Sequence, residues 1–224
     1  MASHPIYQIY SKLEDTELKI WRRFEVMDNI TVARLGYILM TMYEMEASHL
    51  FSFEKVNQSG VASLSFRYEL PSEENDDPNT IDATKAKIKG LFGKNDKVTF
   101  LYDFGDGWEI SLVCEKVIYD SELPGKMLPR VIEGEGYGII EDCGGTGGLE
   151  ELASAYQEGK GKTYDHFVEW MVLKDFDITF FEIDDINYRL QKAPRIYRDI
   201  YEYGLEPTPQ SLKFLNRIYK NTTR

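Results

Sequence analysis

The chain has 224 residues and a formal net charge of -12 at pH 7, with 42% hydrophobic and 13% aromatic residues. These are globular proportions in a chain long enough to bury a sizeable core, as one large domain or a domain with an appendage, and they exclude a disordered chain. The acidic balance argues against broad contact with nucleic-acid phosphates or anionic membranes, and no apolar run approaches membrane-spanning length.

Two cysteines, Cys114 and Cys143, make no disulfide framework, and no signal peptide opens the chain, so a cytoplasmic location is expected.

Tyr7 to Leu13 reads as a first strand. Leu18 to Val26 reads as a second, with Leu18, Ile20, Phe24 and Val26 on one face. Arg22 falls on that apolar face, while Trp21 and Arg23 fall on the other. An inward arginine calls for a carboxylate partner, or for an edge position from which it reaches water. Thr31 to Met45 reads as a helix capped by Thr31, with Val32, Leu35, Leu39 and Met42 in its buried stripe.

His49 to Val56 and Val61 to Tyr68 read as two more strands. Glu69 to Thr80 (ELPSEENDDPNT) is an acidic, proline-bearing loop, and Asp82 to Phe92 fits a short helix or a strand.

Lys97 to Glu115 reads as a hairpin. Val98, Phe100, Tyr102 and Phe104 alternate with Thr99, Leu101 and Asp103 on the first arm, and Trp108, Ile110, Leu112 and Cys114 with Glu109, Ser111, Val113 and Glu115 on the second. Gly105-Asp106-Gly107 between them tolerates positive φ. A three-residue turn sets Phe104 opposite Trp108 and Lys97 opposite Glu115, and it keeps the apolar faces together. It also sets Asp103 opposite Glu109, a like-charge pair that requires a neutralising partner.

Tyr119 to Gly138 is marked as irregular by its prolines and glycines. Glu141-Asp142-Cys143-Gly144-Gly145 then leads into a helix from Leu149 to Gln157. Glycines at a helix start can shape an anion site, but no Gly-Lys-Ser/Thr follows, and the acidic pair would repel an anion. Further helices are predicted over Tyr164 to Leu173, Asp184 to Leu190 and Ile196 to Tyr203, and one beginning at Thr208-Pro209. Lys213, Arg217, Lys220 and Arg224 near the end of that last helix suit its dipole. Hairpin signals dominate and no βαβ alternation is visible, so the predicted fold is α+β, a mostly antiparallel sheet with packed helices and a helical C-terminal part.

Several pieces occur together in order: Ile20-Trp21-Arg22-Arg23, His49-Leu50-Phe51, Tyr102 to Glu109 (YDFGDGWE), Glu141 to Gly145 (EDCGG), and Phe181 to Leu190. In these the chain resembles the Ri-plasmid ORF-three-like family, also known as insertion-element passenger, TnpR-like proteins. The resemblance runs from about Tyr7 to Leu190. It implies an α+β domain over residues 1–191, encoded on plasmids, mobile elements and chromosomes, with 192–224 as a helical extension. No resolvase chemistry is carried over, since nothing here matches a recombinase active site. Where the family often has a second histidine in its His-Leu-His piece this chain has Phe51, and it has Ile110 two residues after the hairpin tryptophan. A histidine-rich metal site is therefore not carried over either.

The candidate site comprises Arg22, Arg23, His49, Asp103, Asp106, Trp108, Glu109, Glu141, Asp142 and Cys143. A lone histidine such as His49 is more often a packed or surface residue than a ligand. Three functions compete. The first is a non-enzymatic module binding a protein or small ligand, supported by the lack of a nucleophile–base pair. The second is a hydrolase or nuclease whose carboxylates Asp103, Glu109, Glu141 and Asp142 hold a divalent metal. The third is a DNA-binding accessory factor, against which the negative charge weighs; any DNA binding is expected to be weak and non-specific, with no sequence-specific nucleic acid and no membrane as partner. At least one of the pairs Asp103–Glu109 and Glu141–Asp142 is expected within reach of a cation. Arg22 or Arg23 is preferred to a metal, and no resident cofactor is expected.

Overall fold

The structure, a computed structural model, describes residues 4–59, 62–72, 79–93, 96–120 and 122–215. It is α+β. Eight strands form one sheet: β1 (Ile6–Leu13), β2 (Trp21–Met27), β3 (Phe51–Ser59), β4 (Ala62–Glu69), β5 (Thr80–Asp82), β6 (Asp96–Tyr102), β7 (Trp108–Ile118) and β8 (Arg130–Glu135). Their order across the sheet is β5-β4-β3-β6-β7-β1-β2-β8. Every pairing is antiparallel except β4 with β5. The helices are α1 (Val32–Met42), α2 (Gly145–Glu158), α3 (Lys162–Met171), α4 (Ile183–Leu190), α5 (Ala193–Tyr203) and α6 (Pro209–Leu215).

One sheet face is apolar and buried along five strands, β1, β2, β3, β6 and β7: Ile9 and Leu13, Phe24 and Val26, Phe51 and Phe53, Val98 and Phe100, Trp108, Ile110 and Leu112. Against it α1 buries all but one of its residues, which is why the helix is apolar nearly all round. Thr31 caps α1 as predicted, its hydroxyl accepting from Arg34 N at 3.1 Å. The other face carries Tyr10, Trp21, Arg23, Leu101, Glu109 and Val113, all half-buried or exposed.

The hairpin departs from the predicted register. Tyr102 pairs with Trp108, Phe100 with Ile110 and Val98 with Leu112, so the connection spans Asp103 to Gly107. The whole ladder is displaced by two residues, which leaves every side chain on its predicted face. Leu101, not Asp103, lies opposite Glu109, and Phe104 is exposed in the turn. Asp103 itself leaves the strand with φ +53, its amide donating to Leu50 O. Its carboxylate accepts from Gly105 N at 3.0 Å and its carbonyl from Gly107 N at 2.6 Å, an Asx-type turn that consumes the two residues assigned to the strand.

Two other readings are corrected. Arg130–Glu135 is a strand inside the stretch read as irregular; it carries few apolar residues because it is the last strand of the sheet. Its outer edge is closed by Asn187 of α4, which accepts from Val131 N at 2.7 Å and donates to Val131 O at 3.0 Å. Residues 80–90 hold the short β5 and a single 3₁₀ turn at Ile88–Gly90 rather than one longer element. Part of the acidic loop (73–78) and the cations Arg217, Lys220 and Arg224 lie outside the described residues.

Candidate functional site

The YDFGDGWE and EDCGG pieces meet at one end of the sheet. Gly145, at φ +67, lies so close to the hairpin turn that a Cβ there would sit 2.7 Å from Asp106 O. Only glycine permits both the conformation and the approach. This contact brings the carboxylates of the two motifs around His49, in the irregular segment between α1 and β3. His49 Nε2 is 3.5 Å from Asp103 Oδ2, 3.6 Å from Glu141 Oε2 and 4.0 Å from Asp142 Oδ1.

The three carboxylates differ in setting. Glu141 is almost fully enclosed, its side chain 4% exposed. It accepts from Glu46 N at 2.6 Å, from the Tyr102 hydroxyl at 2.6 Å and from the Ser48 hydroxyl at 2.5 Å. These donors replace the water it has lost and fix its orientation. Asp103 is held by the turn just described. Asp142, at φ +60, leaves its side chain 78% exposed. Tyr102, from β6, also accepts from Ser48 N at 3.1 Å, so one hydroxyl ties the strand to the histidine segment. Burial and the neighbouring Glu141 push the Tyr102 phenol well above its ordinary range, so it stays a donor. From α5, Tyr201 donates its hydroxyl to His49 O and Tyr197 donates to Met45 O at 3.0 Å.

The arginines are elsewhere. Arg22 is wholly buried, but its partners are four backbone carbonyls: Trp21 at 2.8 Å, Met42 at 3.1 Å, Glu135 at 2.7 Å and Tyr137 at 2.7 Å. Its guanidinium lies over the rings of Tyr43 and Phe181. Burial lowers its pKa to about 10, against the pull of Tyr43 and Glu44. Arg23, on the other sheet face, pairs with Glu115 and Glu133. The expectation that an arginine serves the acidic pairs is therefore corrected: the side chain beside Asp103, Glu141 and Asp142 is the His49 imidazole.

Glu109 faces the open side of the sheet beside Leu101, apart from the cluster. Trp108 is buried in the core, and its Nε1 has no hydrogen-bond partner among the described residues; the same holds for Asp106 Oδ2. Cys143 reaches Gly145 O at 3.6 Å, and burial, then Asp106, pushes its thiol up to about 12. Among the described residues no group of three or more His, Cys, Asp or Glu side chains is placed to hold a metal ion. The cluster's oxygens are arranged around an imidazole nitrogen instead.

Two cavities adjoin the cluster. One, of about 240 Å³, is lined by Glu46, Ile140, Glu141, Asp142, Trp170 and Met171. The other, of about 500 Å³, is lined by Asp142, Cys143, Glu151, Thr163, His166, Phe167 and Trp170. Sequence reasoning missed Trp170, Tyr102, Ser48 and Tyr201 as site residues. Trp170, 42% exposed on α3, carries a visible signal, a large aromatic on the polar side of an amphipathic helix. The other three are joined to the site only by long-range contacts.

The protein is thus an α+β sheet protein with a histidine–carboxylate cluster at one end. The chain belongs to the plasmid pRiA4b ORF-3-like protein family, whose model matches residues 5–185. It is 29% identical over 177 residues to the uncharacterized protein y4hQ of Sinorhizobium fredii (strain NBRC 101917 / NGR234), covering 78% of this chain and 85% of that one. Its fold is similar to the crystal structure of MM3350, a protein of unknown function from Methanosarcina mazei Go1. The TM-score there is 0.69 at 24% identity, over 81% of this chain and 97% of the other. No helix among the described residues is long and apolar enough to cross a membrane.

Proposed function

We propose that this protein is a non-enzymatic binding module whose cleft beside His49 takes a positively charged group, such as an arginine or lysine side chain of a partner protein. The observation that carries this reading is that Asp142 and Trp170 line both cavities, with Glu141 joining the smaller and Glu151 the larger. A carboxylate and an exposed indole ring at one mouth attract a cation by charge and by the ring quadrupole, the latter worth about 0.5–1 kcal/mol at an exposed site. A net charge of -12 adds long-range attraction for the same ligands.

Among the described residues, the Ser48 hydroxyl and the Cys143 thiol beside the cleft are not activated nucleophiles, which supports binding over catalysis. The Ser48 hydroxyl is spent on Glu141, and the Cys143 thiol is pushed away from the thiolate form. Of the carboxylates that would have held a metal for a hydrolase, Glu141 is engaged with Tyr102 and Ser48, Asp103 with the turn, and Glu109 faces the open side of the sheet; duplex DNA presents the wrong charge to this cleft.

Isothermal titration with a capped arginine–glycine peptide and a matched glutamate–glycine peptide tests the reading. The basic peptide should bind, more weakly as salt rises. Asp142→Asn and Trp170→Ala should each weaken it by about tenfold, the loss typical of a contact residue worth more than 1 kcal/mol. Equal binding of both peptides, or of neither, contradicts the proposal.

A further inference from the structure

His49 stands beside the cleft and against its carboxylates. Its Nε2 stands within 3.5 to 4.0 Å of Asp103, Glu141 and Asp142, and the last two of these line the smaller cavity. Among the described residues, the other groups packed on it are uncharged: the Tyr102 ring meets it edge-on at 5.9 Å, and the Tyr201 hydroxyl is bound to its carbonyl. On its own segment, Ser48 is hydrogen-bonded to Glu141, and Glu46 lines the cavity. A proton on His49 would therefore supply a countercharge to Glu141 and Asp142, the carboxylates that an incoming cation would meet in the smaller cavity.

Resting on the binding reading above, we propose that His49 is a proton-operated gate: with the imidazole neutral the carboxylates are open to a cation, and with it protonated they are already neutralised in part. The direction follows from linkage. A cation and a proton that share one set of carboxylates each weaken the other's binding by the same factor. Affinity for a cationic ligand rises as pH rises through the imidazole range, and bound ligand makes His49 easier to deprotonate. His166, which lines the larger cavity beside Asp142, is the one other histidine in this neighbourhood among the described residues, and the test controls for it.

The test is titration of the full chain with the capped arginine–glycine peptide at about pH 5.5 and about pH 8. The wild type should bind roughly tenfold more tightly at the higher pH, within the usual range for coupled sites. His49→Gln should bind at both pH values as tightly as the wild type does at the higher one. His49→Lys, a fixed cation, should bind weakly at both. His166→Gln should keep the wild-type pH dependence. A wild-type affinity that does not change with pH, or a slope that survives in His49→Gln, overturns the gate while leaving the binding reading intact. No binding at either pH overturns both.

Discussion

Arg22 and Arg23 are adjacent on β2, face opposite sides of the sheet, and solve the problem of a cation in different ways. Arg23 sits among Tyr10, Trp21, Glu115 and Glu133 on the open face, where its ion pairs are partly screened by water. Arg22 is wholly buried; four carbonyls take its donors, drawn from β2, α1, the end of β8 and Tyr137 just beyond it. That the side chain points inward was legible from alternation along β2. That it ends on backbone oxygens was not, because carbonyls leave no trace in a sequence. Arg22→Met should lower the free energy of unfolding by about 3 kcal/mol or more, since several buried carbonyls lose their donors together. Urea denaturation measures this, and a loss under about 1 kcal/mol would show that the carbonyls find other donors. His49 was named as a candidate from its motif. Its carboxylate shell was hidden because the partners lie far along the chain, in pieces whose meeting depends on Gly145 against Asp106.

At the scale of elements, the hairpin shows which part of a strand pattern survives an error in turn length. Alternation assigned the faces of β6 and β7, and a displacement of two residues kept them. The turn itself depended on Asp103 adopting a left-handed conformation, which an alternating pattern does not encode. β8 was missed because an edge strand, laddered to β2 on one side and closed by Asn187 on the other, needs little apolar sequence. The chain beyond the family match contributes directly to the site. Tyr37 and Tyr201 stack at 5.8 Å between α1 and α5, and Tyr197 and Tyr201 hold the two ends of the Met45–His49 segment. Nearby, Arg189 of α4 pairs with Glu44 and Asp185, which anchors the helix leading into α5. Tyr201→Phe should therefore cost only about 1 kcal/mol of stability, the net worth of one hydrogen bond. It should speed amide exchange over residues 46–49 more than elsewhere. Uniform acceleration across the chain, read by hydrogen exchange, would mean that Tyr201 supports the fold in general and not the histidine segment.

For the whole molecule, the α+β class and the dominance of antiparallel pairing followed from hairpin spacing, and the apolar face of each long strand from period two. The convergence of the two glycine-rich motifs on one end of the sheet is a property of the strand order, which places β6 beside β3 and so the YDFGDGWE turn beside His49. No periodicity predicts that order. The result is a molecule of strong negative charge, with Asp142 largely exposed beside an indole. Chemical-shift mapping of the full chain with the arginine–glycine peptide tests the central claim most directly. The account predicts saturable shifts at the Trp170 indole, at the Asp142 and Glu151 amides and at the His49 imidazole, with the Trp21 indole on the open sheet face unmoved. Shifts centred on the open face at Trp21 and Arg23, with Trp170 and His49 unchanged, would contradict it.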